Sequence, residues 1–238
     1  MKSILLALAA TGLSSPAAVI ISEFRTDQEG ADNSEYFELA GNPSESLDGI
    51  WYLVIGDGTG GSGVIESVLD LTGQSIPSTG YFLVAESTFE NGVGGFFEGI
   101  TPDLVADINF ENSDTTTHLL VMNFTGASGD DLDTDDDGVL DATPWTSVLD
   151  AISPLEETNV PPTGTEYAYA VSLGGEEVGP DGTFVPGHVY RDATGALQIG
   201  QFNIAGGSDT PGSAAVPEPT SGALLLLGLA VACGRRRR

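Results

Sequence analysis

Short apolar runs of four to eight residues recur along most of the chain, separated by Gly, Pro, Asn, Asp and Ser. The runs are rich in β-branched and aromatic residues, which is typical of β-strands. Many short strands between turn residues predict an antiparallel sandwich or barrel, and therefore an all-β fold. We expect strands at 19–24, 35–40, 51–56, 64–71, 81–86, 117–124, 166–173, 188–191 and 196–202.

Two of these runs need a separate argument. The apolar positions of 64–71 fit a helical period as well as a strand, but a Thr-Gly pair ends the run after two turns. Because so short a helix is marginal, we favour a strand. The run at 166–173 alternates between apolar and polar positions, which predicts a half-buried strand. The residues on its apolar face would be Tyr167, Tyr169 and Val171.

Three segments interrupt the strand pattern. Residues 87–114 are rich in Gly, Asn, Asp and Phe and predict a long surface loop. Residues 126–141 form a short acidic block, and residues 205–215 have the small-residue composition of a linker. The predicted domain is thus one sandwich over 19–204 with long loops.

The first 18 residues have the pattern of a secretory signal peptide. Lys2 supplies the positive start, and Ile4 to Leu13 form the apolar stretch before a group of small residues. This order is that of the n-region, the h-region and the cleavage zone. We expect a signal helix that is removed after Ala17 or Ala18; a buried first helix is the alternative.

The charge of the chain is unevenly distributed. Between Val19 and Ala215 there are 34 acidic residues, and Arg25 and Arg191 are the only basic ones, which gives a formal charge of −32. Such a surface repels phosphate backbones, so we expect no nucleic-acid partner. It attracts divalent cations, although solubility in a salty habitat explains it equally well. The single cysteine, Cys233, lies near the end, so the body has no disulfide framework.

The order of motifs in the first half resembles the lamin-tail domain, a family of immunoglobulin-like β-sandwiches that is also found in secreted bacterial proteins. The family pattern is roughly I-S-E, then E-F-V-E-L-x-N, then L-x-G-W-x-L, and then L-x-P-G-x-Y-x-V-V. The matching segments here are Ile20 to Phe24, Glu35 to Leu39, Leu47 to Gly49, Trp51 to Leu53 and Ser78 to Ala85.

This chain departs from the lamin-tail pattern at two places. Gly41-Asn42 stands where the family has Asn, and Ile50 separates the usual Gly-Trp pair. Thr210 to Gly212 match the closing T-P-G of the family. The resemblance covers 19–85 and the end of the body, while 87–160 is an elaboration. It implies a binding or structural module without catalytic residues.

The strongest local motif is DDLDTDDDGVLD at 130–141. Counted from Asp133, it has Asp at positions 1, 3, 5 and 9 and Gly138 at position 6, as in an EF-hand calcium loop. Alternate carboxylates can point to one centre, and the glycine takes the sharp turn. The expected ligands of Ca²⁺ are the carboxylates of Asp133, Asp135, Asp137 and Asp141 and the carbonyl of Val139.

The calcium motif is incomplete. Position 12, where an EF-hand has a bidentate Glu, is Pro144. Asp131, Asp150 or Glu156 could supply the missing oxygens. We expect a dissociation constant on the order of 10⁻⁴–10⁻³ M, as in extracellular calcium modules. A solvated acidic loop without metal is the alternative reading.

Motifs for catalysis are weak in this sequence. GDGTGG at 56–61 matches G-x-G-x-x-G, but no βαβ unit surrounds it, so a glycine-rich hairpin loop is the better interpretation. No G-x-S-x-G and no H-E-x-x-H occur. His118 and His188 both belong to predicted strands and are expected to be ordinary strand residues. We therefore expect a protein that is not an enzyme.

The final segment, VPEPTSGALLLLGLAVACGRRRR, combines a Pro-Glu-Pro motif, an apolar run and four arginines. The twelve residues from Gly222 to Cys233 would form about 18 Å of helix. This is short of the ~30 Å hydrocarbon core, so the segment is at most a marginal transmembrane helix. Terminal arginines would hold that end in the cytoplasm.

The order and spacing of this segment closely resemble a PEP-CTERM sorting signal over 216–238. The matching residues are Val216, Pro217, Glu218, Pro219, Arg235, Arg236, Arg237 and Arg238. The resemblance implies export, transient retention in the inner membrane of a Gram-negative bacterium, and cleavage by the membrane protease exosortase. Contact with the membrane would then occur only through the uncleaved tail. A permanent anchor is the alternative.

The sequence as a whole predicts an exported surface or extracellular-matrix protein. We expect a lamin-tail-like sandwich with a calcium-stabilised loop, and extracellular polysaccharide is the expected kind of partner. The alternative is a secreted hydrolase or carbohydrate-binding protein that uses the 87–114 loop as its site.

Overall fold

The computed structural model describes residues 19–59, 61–108, 110–157, 167–182 and 184–215. In this part of the chain the fold is made of β-strands and contains almost no helix. The signal helix predicted over 1–18 and the sorting helix predicted over 216–238 lie outside the described residues. The strands are β1 (Ile20–Arg25), β2 (Tyr36–Ala40), β3 (Ile50–Gly56), β4 (Val64–Asp70), β5 (Tyr81–Ala85), β6 (Leu104–Val105), β7 (Thr117–Met122), β8 (Ser147–Pro154), β9 (Glu176–Val178), β10 (His188–Arg191) and β11 (Leu197–Ile199).

The strands form two sheets in a sandwich-like arrangement. Sheet I has six strands in the order β11-β10-β1-β2-β5-β6, and sheet II has five strands in the order β4-β3-β7-β8-β9. All neighbours are antiparallel except two edge pairs, β5 with β6 and β8 with β9. The predicted all-β class is confirmed, as are the strands expected at 64–71 and 188–191.

The sandwich core lies between the sheets, and apolar side chains also cover both outer faces. The inner core includes Phe37 of sheet I stacked on Tyr52 of sheet II, with ring centroids 3.7 Å apart. Leu53, the next residue, points to a second apolar cluster on the outer face of sheet II. Because both faces of these strands are buried, they read as continuous apolar runs instead of alternating ones.

The run at 166–173 is not a strand, which corrects the sequence-based expectation. Its described part is a turn that leads into a 3₁₀ helix at Val171–Leu173, and Gly174 ends the helix in the left-handed conformation. The main-chain N–H of Tyr169 donates to Thr117 Oγ1, and that of Ala170 donates to Ser153 Oγ. Side chains of β7 and β8 therefore satisfy donors that a strand would pair with a neighbouring strand.

The predicted surface loop at 87–114 is partly buried against sheet I. Phe89 and Phe97 stack on each other and contact the ring of Tyr36 edge-on. Val93 and Phe96 of the same loop remain exposed. The loop is thus a packed excursion with an exposed apolar tip.

Candidate functional site

The acidic loop, residues 130–141, lies between β7 and β8 and packs on the outer face of sheet II through the buried Leu132. Asp133, Asp135 and Asp137 each bring a carboxylate oxygen to within 4.8 Å of the others. Asp133 is buried, whereas the other two side chains are exposed. Three of the five predicted calcium ligands are therefore brought together, next to the buried Leu132 that anchors the loop.

Asp133 organises this loop through hydrogen bonds from two main-chain N–H groups of the loop and from a distant tyrosine. Its Oδ1 accepts from the N–H of Asp137 at 3.1 Å. Its Oδ2 accepts from the N–H of Gly138 at 2.8 Å and from the hydroxyl of Tyr169 at 2.7 Å. Oδ1 accepts one hydrogen bond and keeps a second lone pair, whereas Oδ2 accepts two. Asp133 can therefore hold the loop and still offer Oδ1 to a cation.

The glycine-rich hairpin between β3 and β4 packs against the acidic loop. Ser62 N–H donates to Asp136 Oδ1 at 2.7 Å, and Asp136 itself has a φ of 53°. A Cβ on Gly61 would overlap the Asp136 carboxylate, and a Cβ on Gly63 would lie 2.5 Å from that of Asp133. Gly61, the last residue of GDGTGG, and Gly63 thus permit close contact between the two loops. The motif lies in the connection of a β-hairpin, as expected.

Tyr169 connects the hairpin, the acidic loop and sheet II. Its hydroxyl donates to Asp133 and lies 2.7 Å from Ser62 Oγ, while its ring is fully buried. Burial raises the pKa of this phenol, so the group remains a proton donor. Tyr169, which the alternation at 166–173 placed on a strand, therefore supports the acidic loop instead.

Asp141, the fourth predicted carboxylate ligand, is not among the converging side chains. Thr134 donates its N–H and its hydroxyl to Asp141 Oδ2. Val139 is exposed, and its N–H donates to Asp137 Oδ1 at 2.9 Å. Asp150 forms an ion pair with Arg191 at 3.1 Å, so it does not complete the loop.

The electrostatics of the loop favour a bound cation. The charge of Asp137 is the first cause that raises the pKa of Asp135, which means that the two carboxylates repel each other. In contrast, hydrogen bonds from Thr134 lower the pKa of Asp141. A hard divalent cation would offset the repulsion among the three converging carboxylates, and oxygen ligands are those that Ca²⁺ prefers.

A second cluster of ionisable side chains is buried on the outer face of sheet I. We call it the clamp; its members are Glu23, Arg25, Tyr36, His188 and Asp209. Arg25 is fully buried and binds Asp209 with two hydrogen bonds, Nε to Oδ1 at 2.6 Å and Nη2 to Oδ2 at 2.7 Å. This bidentate pairing is the strong form of a charge-assisted hydrogen bond.

Glu23 lies at the centre of the clamp. It accepts hydrogen bonds from the hydroxyl of Tyr36 and, at 2.9 Å, from Nε2 of His188. Glu23, His188 and Asp209 converge closely enough to hold a metal ion. However, the carboxylate oxygens and the ring nitrogen that converge here already form hydrogen bonds within the protein, and Arg25 supplies the positive charge. We therefore interpret the clamp as a structural network.

Residues 208–212, which we call the strap, cross the clamp although composition predicts a linker over 205–215. Thr210 donates its N–H to Glu23 Oε1 at 2.8 Å and its hydroxyl to Oε2 at 2.6 Å. Gly212 N–H donates to Glu38 Oε2, and Ser208 Oγ lies 3.1 Å from Nδ1 of His188. The folded body thus extends at least to Gly212.

Sequence reasoning missed the clamp because its partners are far apart in the chain. The one available signal was the scarcity of cations: Arg25 and Arg191 are the only basic residues in a body of charge −32. In such a body, a basic residue inside a strand is expected to have a carboxylate partner. The sequence does not indicate which of the 34 acids that partner is.

His118 lies in the inner core and is fully buried. Its Nδ1 lies 2.6 Å from the hydroxyl of Tyr52, and its ring stacks on Phe24. Burial lowers the pKa of the imidazole to about 3, so it is neutral at physiological pH.

The sorting residues predicted at 216–219 and 235–238 lie outside the described part of the chain. The sequence profile of the PEP-CTERM protein-sorting motif matches residues 215–238, in agreement with the resemblance. This motif implies an exported protein that is processed by exosortase. Comparison with curated proteins and with solved structures finds no significant match. No helix within the described residues has the length and apolarity to cross a bilayer.

Proposed function

We propose that the protein is a non-enzymatic structural or binding module, which is exported, processed by exosortase and located at the cell surface or in the extracellular matrix. In this proposal Ca²⁺ binds the acidic loop and stabilises it. The observation that carries the calcium proposal is the convergence of Asp133, Asp135 and Asp137 within 4.8 Å on a buried anchor. The sorting motif at 215–238 supports the location.

The further proposal that the sandwich is lamin-tail-like rests on one long-range contact. Glu23 belongs to the I-S-E motif and Thr210 to the closing T-P-G, and these two motifs are 187 residues apart. Both Glu23 oxygens accept hydrogen bonds from Thr210. The two ends of the resemblance thus meet at one point of the fold.

The non-enzymatic role is supported by the state of the two histidines. His118 is neutral and enclosed between aromatic rings, and His188 is buried with both ring nitrogens next to protein partners. A general base needs to reach the proton it abstracts. Neither ring is placed to do so.

An extracellular polysaccharide remains the proposed kind of partner. A body of charge −32 repels anionic sugars unless divalent cations intervene. Phe96 at the tip of the 87–114 loop is 54% exposed and offers an aromatic ring for contact with a sugar. This ring is the observation that keeps a carbohydrate-binding function as the second candidate; Phe96→Ala should then abolish retention on the host's own polysaccharide.

Thermal unfolding in EDTA and in 10 mM calcium tests the calcium proposal. At a dissociation constant of about 10⁻⁴–10⁻³ M, saturation should raise the melting temperature by roughly 3–10 °C. Asp135→Ala with Asp137→Ala should remove this shift, because two of the three converging oxygens are lost.

The control for this experiment is Asp107→Ala with Asp181→Ala. It removes the same charge from two exposed acids outside the loop and should keep the calcium shift. An identical melting temperature of the wild-type protein in EDTA and in calcium would refute the proposal.

The proposed non-enzymatic role has its own test. Turnover of common polysaccharides or phosphoesters by the purified protein would contradict that role.

A further inference from the structure

The strap and the sorting motif are close together in the chain. Gly212 is the last strap residue, and the matched motif begins at residue 215. The three residues between Gly212 and Val216 span at most about 14 Å even when fully extended. The motif therefore starts next to the sandwich surface.

The strap is held by side chains that would be costly to leave without partners. Arg25 and Asp209 are both almost fully buried, and undocking would separate their two charges inside the protein. Glu23 would lose two hydrogen bonds from Thr210. The strap is therefore bound to the body at several points and does not extend freely into solvent.

The network continues on both sides of these two contacts. Arg25 also donates to the carbonyls of Asp27, Phe202 and Gln201, which fixes the guanidinium on sheet I and on the segment before the strap. Pro211 is buried between Thr210 and Gly212. Glu23 and Glu38 thus hold main-chain N–H groups of the strap, and Arg25 holds the side chain of Asp209.

We propose that the strap fixes the point where the sorting motif leaves the sandwich and sets a boundary behind which proteases cannot shorten the chain. A protease must draw several residues in extended form into its active site before water can add to the peptide bond. Main chain held by Glu23 and Glu38 cannot adopt that form without undocking. Cleavage at the motif then leaves the clamp complete, and the mature body keeps its C-terminal end.

This inference rests on the proposed processing, but it can be tested independently. The mature protein is recovered from its own host, treated with carboxypeptidase Y, and followed by intact mass spectrometry. Trimming should remove residues beyond Gly212 and then stop. A synthetic peptide of residues 200–215 is trimmed in parallel, which gives the rate without the strap contacts, including the delay at Pro211.

Thr210→Val is the informative variant, because it removes the hydroxyl donor to Glu23 and leaves the Arg25–Asp209 pair in place. We expect trimming past Gly212 to be at least tenfold faster in this variant than in the wild-type protein. Thr125→Val is the matched control: it removes an exposed hydroxyl that donates to the Pro144 carbonyl, and it should trim as the wild type does.

Two results would overturn the proposal: trimming of the wild-type protein through Ser208 at the rate of the peptide, or equal rates for Thr210→Val and wild type. A recovered chain that still ends at Arg238 would contradict the processing and not the strap. In that case trimming from Arg238 should still stop at Gly212.

Discussion

The acidic loop and the clamp both concentrate carboxylates, but they stabilise them in different ways. In the clamp, Glu23 and Asp209 are buried and accept hydrogen bonds from Arg25, Tyr36 and His188. In the acidic loop, Asp135 and Asp137 are exposed, and Asp137 raises the pKa of Asp135. The clamp therefore supplies its own cation, whereas the cation that we propose for the loop would have to come from solution.

Because of this difference, the stability of the two regions should respond differently to calcium and to salt. The clamp should hold in the presence or absence of calcium, because its positive charge is covalently part of the chain. The loop should depend on divalent cations and on ionic strength, since exposed charges are screened by salt. The predictions below change one region at a time and are arranged from the largest expected effect to the smallest.

Arg25→Met should have the largest effect. It leaves Asp209 buried without its cation, which is expected to cost about 3–5 kcal/mol of the free energy of unfolding. Urea denaturation with and without calcium measures it. Equal losses in both conditions would support the separation of the two regions; a loss seen only with calcium would contradict it.

Gly63→Ala should be the most damaging change beneath the acidic loop. Its φ of 89° is unfavourable for alanine, and the new Cβ would lie 2.5 Å from that of Asp133. We expect a loss of about 3 kcal/mol from strain and overpacking together. Gly73→Ala is the matched control, because Gly73 has a φ of 88° with open space around it, and it should lose only about 1 kcal/mol.

The carboxyl group of Glu38, which contacts the strap, predicts that the free energy of unfolding depends on pH. Burial, with the nearby charge of Glu23 as a second cause, raises the pKa of Glu38 from 4.5 to about 8. Between these values the folded protein holds a proton that the unfolded chain has released. The free energy of unfolding should therefore fall as the pH rises from about 5 to 8, by about 1 kcal/mol per pH unit for this group.

Glu38→Gln imitates the protonated acid and isolates this contribution. In EDTA, the variant and the wild type should be equally stable at pH 5, and the variant should be more stable at pH 8.5. Glu35, whose pKa burial also raises to about 8, adds a parallel dependence in both proteins. Identical pH profiles of the two proteins would show that Glu38 is already ionised when folded.

Tyr169→Phe should have the smallest effect. It removes the contacts of the hydroxyl with Asp133 and Ser62 and keeps the buried ring, which is expected to cost about 1 kcal/mol. Calcium affinity, measured by titration calorimetry, should fall only a few-fold, because the three carboxylates remain. A complete loss of binding would mean that Tyr169 positions the whole loop.

The strands that could be predicted are those with a local cause. β3 is recognised because its side chains alternate between two apolar clusters, so nearly every position is apolar. β8 was missed because it contains Asp150 and Ser153, whose partners Arg191 and Thr117 are distant in the chain. β6 and β9 have two and three residues, too few for any period.

The acidic loop and the clamp also differ in how far apart their residues lie in the chain. The acidic loop could be predicted because its carboxylates lie within nine residues and follow a known spacing. Its supports, Gly63 and Tyr169, come from other parts of the chain and could not. The clamp joins residues up to 184 positions apart, and no local pattern specifies such contacts.

Isothermal titration of the mature, metal-free protein with calcium tests the central claim most directly. We predict one Ca²⁺ per chain with a dissociation constant on the order of 10⁻⁴–10⁻³ M, lost in Asp135→Ala with Asp137→Ala and kept in Asp107→Ala with Asp181→Ala. Absence of binding to the wild-type protein at 10 mM calcium, or equal binding to both double variants, would contradict a calcium site in the acidic loop.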